Sequence, residues 1–208
     1  MRSSRHMADH IARRREAALA GHTGDEATAR AHMADADASV RATALGALAR
    51  LSALRPADLD AALRDPDPRV RRRGAEVVAG LGDDPLGIDV AMIGLLADPD
   101  PSVVEVAAWA CGERSPAEPG VVAALAALTT GHGDALIREA AVAALGSMGD
   151  AEGLPAILVA TSDKATVRRR AVLALASFDG PEVSEALERA RTDRDWQVRQ
   201  AAEDLLDD

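Results

Sequence analysis

The sequence predicts an all-α protein, a solenoid of about six helical hairpins stacked side by side. Three observations carry this. A short Asp-rich turn followed by an apolar-periodic segment returns six times at a period of about 30 residues, and a fixed period of that size marks a repeat architecture. The apolar residues, 48% of the 208, are mostly Ala, Leu and Val, while Trp109, Trp196 and Phe178 are the only aromatics. Such a set suits close helix-on-helix packing, because Ala and Leu are strong helix formers and Ala lets backbones approach. Finally, five of the six copies carry an Asp as helix start signal, and two carry a Gly stop.

The copies align on Val40, Val70, Val103, Ile137, Val167 and Val198. Three residues before the anchor stands Asp37, Asp67, Asp100, Asp134 or Asp195, where a carboxylate accepts the unpaired N–H groups of a first helical turn. Pro68 and Pro101 follow at the position that tolerates a missing N–H. Four residues after the anchor come Ala44, Gly74, Ala107, Ala141, Ala171 and Ala202; eight after come Leu48, Val78, Cys111, Leu145, Leu175 and Leu206. Offsets of zero, four and eight share one helical face, so a helix of about 12 residues follows each turn. Gly82 and Gly149 read as stops. Before the turns lie further apolar helical segments, at 56–64, 87–97, 120–130, 153–161 and 181–191. A hairpin of two such helices cannot bury both faces alone, and its neighbours complete the core. The terminal EDLLDD closes the stack with charge. Residues 1–24 read as an N-terminal basic segment or capping helix, and 25–208 as one repeat domain.

The pattern D-P-x-V-R-x-x-A-x-x-A-L-G-x-L/M-G, clearest in 65–82 and 134–149, resembles the HEAT-like repeats first grouped with phycobilisome lyases. The resemblance covers roughly residues 25–208. It implies a right-handed superhelix with the first helix of each pair on the convex side and the second on the concave side. It also implies that the Arg following the anchor (Arg41, Arg71, Arg138, Arg168, Arg199, with Val104 the exception) pairs with Asp groups of the turns in an internal ladder. Proteins of this kind mostly bind other proteins; a minority are enzymes or bind nucleic acid.

Arg72, Arg73, Arg169 and Arg170 lie outside that ladder column. At roughly 100° per residue, offsets of two and six fall on the far side of the helix from the core column. Along the copies that face reads Ala42/Gly46, Arg72/Glu76, Glu105/Trp109, Glu139/Ala143, Arg169/Leu173 and Gln200/Asp204. The expected partner-binding row on the concave face is therefore Arg72, Arg73, Glu76, Glu105, Trp109, Glu139, Arg169, Arg170 and Leu173. An apolar centre with a charged rim is the common layout of a protein-binding site, and Trp and Arg are its usual hot spots. The alternative packs Trp109 onto the neighbouring repeat, and its exposure separates the two.

Function follows as a non-catalytic scaffold for a protein or peptide partner. A nucleic-acid-associated protein with a glycosylase-like groove is the alternative, opposed by a net charge of −10 and by Glu76, Glu105, Glu139 and Asp204 in the row. A bilin lyase or isomerase, which the resemblance also admits, finds no residue with a committed role. No G-x-S-x-G, H-E-x-x-H or phosphate loop occurs; 80–87 is Gly-rich but lacks the following Lys-Ser/Thr. His6 and His10 are four residues apart with no third ligand nearby, and the Asp turns lack the Gly and distant Glu of a calcium loop, so neither metal nor cofactor is expected. Cys111 reads as a small buried core thiol. Arg13, Arg14 and Arg15 form a solvated basic face, or else dock a partner or cap the first repeat. Without an apolar leader core or a run of roughly 18 apolar residues, the expected location is cytoplasmic.

Overall fold

The computed structural model describes residues 2–81, 92–114 and 117–207, with side chains from residue 9 onward. The expected stop at Gly82, most of loop 80–87, the 87–91 part of the segment 87–97, and the side chain of His6 lie outside the described residues. The chain divides into two compact units, Met1–Val90 and Ala91–Asp208.

The first unit contains α1 (Arg2–Thr23), α2 (Glu26–Ala31), α3 (Ala38–Arg50), α4 (Pro56–Leu63) and α5 (Pro68–Gly80). Here α1 packs on α3 and α3 on α5, while α2 and α4 flank them as the short first helices of two hairpins. The second unit contains α6 (Pro101–Gly112), α7 (Val121–Gly131), α8 (Ala135–Met148), α9 (Leu154–Ala160), α10 (Ala165–Ala174), α11 (Pro181–Ala190) and α12 (Trp196–Leu206). In it α6, α8, α10 and α12 pack in succession, with α7, α9 and α11 against them. No strand occurs among the described residues. The segment 87–97 departs from expectation: its described part, Ile93–Ala97, is a 3-10 turn. The turn is closed by bonds to the third residue back, as from Leu95 N–H to the carbonyl of Met92 at 2.9 Å.

The core is the predicted one except for Leu206, which is only half-buried in the last turn of α12. All six anchors are buried, from Val40 at 0% to Val70 at 2% exposure. Asp37, Asp67, Asp100, Asp134 and Asp195 each accept the backbone N–H two residues on, as N-caps. Gly149 ends α8 in the left-handed region at φ 63°, where it costs a glycine nothing. The fifth copy differs: Lys164 stands at the cap position without a side-chain cap, and Asp163 before it takes over the turn.

The ladder spans neighbouring turns. Arg41 donates through Nε and Nη2 to both carboxylate oxygens of Asp65, at 2.9 and 2.7 Å, and through Nη1 to the carbonyl of Asp35 in its own turn. Arg138 repeats this with Asp163 at 2.6 and 2.7 Å, and Arg168 with Asp193 at 2.8 and 2.7 Å. Arg71 and Arg199 make the own-turn contact, to the carbonyls of Asp65 and Asp193. The receiving carboxylate also accepts the N–H of the capping Asp, as in Asp65 to Asp67 and Asp193 to Asp195. Where the column holds Val104, the next turn holds His132 in place of the receiving Asp, and its Nδ1 accepts the N–H of Asp134 at 3.0 Å. Both members of that rung are replaced together.

Small residues set the spacing of the second helices. A Cβ on Gly112 would lie 2.8 Å from Ala144 Cα, and one on Gly146 would lie 2.6 Å from Ala174 Cβ. Gly146→Ala should therefore cost about 1–3 kcal/mol by overpacking, against the gain of up to ~1 kcal/mol usual for Gly→Ala in a helix. Gly131→Ala, with nothing within 4 Å of the added carbon, should be neutral or stabilising. Urea unfolding of the two variants reads the difference.

Asp163 and Asp193 are held below the usual carboxylate range, first by hydrogen bonds from Arg138 and Arg168. Their pKa is depressed by folding, so the stability they supply is complete above about pH 4 and lost as pH falls through the depressed values. Unfolding midpoints should drop on acidification below about pH 4, and Asp163→Asn should flatten that drop.

Candidate protein-binding face

The second helices place the expected row on their exposed side, because each buries its anchor column against neighbouring helices. In the first unit Arg72 is exposed, and Arg73 and Glu76 are half-buried. Glu76 answers both arginines, Arg73 Nη1 at 2.9 Å and Arg72 Nε at 3.5 Å. The Arg73 guanidinium also lies across Gly46 of α3, where a Cβ would meet its Nη2 at 2.3 Å. Arg73 is thus a bridge between successive helices as well as a surface charge.

The second unit holds the other six residues. Trp109 is 46% exposed and Leu173 39% exposed, so Trp109 is not absorbed into the core. Glu105, Ala143 and Glu139 are half-buried on the same side of α6 and α8, and Arg169 and Arg170 are exposed on α10. Arg170 reaches Glu139 of the preceding second helix at 3.6 Å. Around it Ala143, Gly146, Leu173, Ala174, Ser147 and Ser177 line a shallow depression of about 230 Å³. The structure brings Glu139, Arg170 and Leu173 together there; Trp109 and Glu105 stand on α6, and Arg169 stands apart from the depression's lining.

Sequence reasoning passed over Trp196, 65% exposed in the first turn of α12. Its offset of minus two lies at roughly 160°, near the same far side, and that arithmetic would have flagged it. Ile11 and Leu19 on α1, 56% and 50% exposed, were missed as well, because α1 was read for its charge.

Cys111 is buried, and burial pushes its thiol up to about 12, with Glu118 adding to the shift. It is protonated at neutral pH and a poor nucleophile. Among the described residues no group of three or more His, Cys, Asp or Glu is placed to hold a metal ion. No helix among them is long and apolar enough to cross a membrane.

A family model for HEAT repeats matches residues 88–166 and 122–207, together more than half of the chain. The chain belongs to the HEAT repeats. Among solved structures it is similar to YibA of Escherichia coli, at 19% identity over 91% of this chain and 70% of that one, with a TM-score of 0.66. An engineered protein matches at 20% identity over 88% of this chain and 97% of its own, with a TM-score of 0.65. A chain from the complex of Kap95p with RanGDP matches at 18% identity over 87% of this chain and 29% of its own, with a TM-score of 0.54. These likenesses carry the all-α repeat fold. No curated protein matches the chain.

Proposed function

We propose that the protein is a non-catalytic scaffold that binds a protein or peptide partner on the exposed face of its second helices. The observation that supports this most is Trp109, nearly half exposed on a helix whose opposite side is fully buried. A large aromatic at the helix surface, with Glu105 one turn before it on α6 and Glu139, Arg169 and Arg170 on the following second helices, has the composition of a binding hot spot. Arg72, Arg73 and Glu76 form a second charged cluster that the same reading assigns to the partner. A cytoplasmic location fits the reading.

The ion pairs weigh against nucleic acid. Glu76 answers Arg72 and Arg73, and Glu139 answers Arg170, so these arginines meet local carboxylates rather than forming an open basic track. Cys111, the one thiol, is buried and protonated at neutral pH, which weighs against a lyase or isomerase that would use it as a nucleophile.

Pull-down from a source lysate with wild type and a Trp109→Ala, Leu173→Ala variant tests the reading. Both side chains are substantially exposed, so helical circular dichroism should be unchanged. The variant should lose the wild-type partner or hold it at least about tenfold more weakly. Equal retention of the same partner by the folded variant would rule out this face.

A further inference from the structure

Helix α1 is built like the second helix of a repeat. Arg13 donates to Asp35 from Nε at 2.7 Å and from Nη2 at 3.4 Å, the contact that Arg41, Arg138 and Arg168 make with the next turn. Eight residues later Gly21 sits against Ala47, where a Cβ would lie 2.8 Å from its Cα, as Gly112 sits on Ala144. This alignment makes Ala12 and Glu16 the equivalents of the anchor and of the small residue four positions on. In α6 and α8 those positions are Val103, Ala107, Ile137 and Ala141, all 0–1% exposed. In α1 both are exposed. The side of α1 that later second helices bury is therefore open, and with Asp25 and Thr28 it borders a groove of about 610 Å³.

We propose that this face of α1 is a contact between two copies of the chain. At roughly 100° per residue, Leu19 and Ala12 occupy the middle of the face, Arg15 and Ile11 one edge, and Glu16 and Ala20 the other. Arg15 has no ion-pair partner among the described residues, and Glu16 reaches only the Nε2 of His32, at 3.3 Å. A two-fold axis running along the helices sets the apolar middle of one copy on that of the other. It also brings the Arg15 edge of each copy to the Glu16 edge of its neighbour, because the two residues lie at nearly the same height along the helix. An unrelated partner would have to supply an anion and a cation in the matching order; a second copy supplies them by symmetry. The contact closes on itself and adds no third copy.

Sedimentation equilibrium of the full chain over a concentration series tests this. Wild type should show a monomer–dimer equilibrium, and Leu19→Asp should weaken it at least about tenfold with unchanged circular dichroism. Arg15→Glu and Glu16→Arg should each weaken the dimer, and the double exchange should restore it. The exchange leaves the apolar residues intact, so it decides the matter even if Leu19→Asp perturbs folding. A monomer at every concentration, a dimer indifferent to these changes, or a double exchange that fails to restore association would overturn the proposal.

Discussion

The arginine fork between successive turns is the interaction on which the rest depends. Arg138 holds its own turn through a carbonyl and the next turn through both oxygens of Asp163, and that carboxylate takes the N–H of Lys164 as well. One side chain thus fixes the start of two helices relative to each other. Once the starts are fixed, the small residues at the helix ends determine how closely the helices approach. Gly146 on Ala174 is then a consequence of the fork's register as much as of its own size. The pairs are partly buried, Arg168 at 7% and Asp193 at 16% side-chain exposure, so solvent screens them less than surface pairs. Charge-assisted hydrogen bonds of this kind contribute on the order of 1.5–3 kcal/mol each.

This explains which parts of the molecule were legible in its residues. The anchors, the capping aspartates and the Ala/Gly column each answer a local requirement that recurs at a fixed period, so alignment exposes them. Trp109 was legible for the same reason, since its offset set it opposite the core column. What alignment misses are copies that satisfy the same requirement with other residues. In α1 the anchor is Ala12 and the small position is Glu16, so the helix did not align, although Arg13 and Gly21 make the repeat contacts. In the fifth turn Asp163 stands one residue later than its counterparts and Lys164 replaces the cap. The 3-10 turn at Ile93–Ala97 escaped because an apolar run states its burial but not its helical pitch. The face residues divide likewise: that Arg73 and Arg170 lie near the surface follows from offsets, but that they bridge to Gly46 and Glu139 depends on how the helices approach.

The functional reading rests on what the repeat grammar leaves over. Arg41, Asp65 and their equivalents are consumed by structure, and the buried Cys111 by the core. Trp109, Leu173 and Arg169 have no such duty, and Glu105 stands one turn before Trp109 on α6. A chain of Ala, Leu and Val with so few aromatics leaves Trp109 46% and Trp196 65% exposed, where a large ring contributes little to the core and is available to the proposed contact. The open side of α1 is the complementary case, a face whose counterpart in α6 and α8 is buried.

A double-mutant cycle on Arg138 and Asp163 tests the central claim most directly, with Arg138→Met, Asp163→Asn and the pair compared by urea unfolding. If the fork sets the register, each single change should cost more than about 1 kcal/mol, and the double should cost clearly less than their sum, a coupling of at least about 1 kcal/mol. Additive costs would mean that the two side chains act independently, and that close packing of the Ala and Gly columns alone holds the repeats in place.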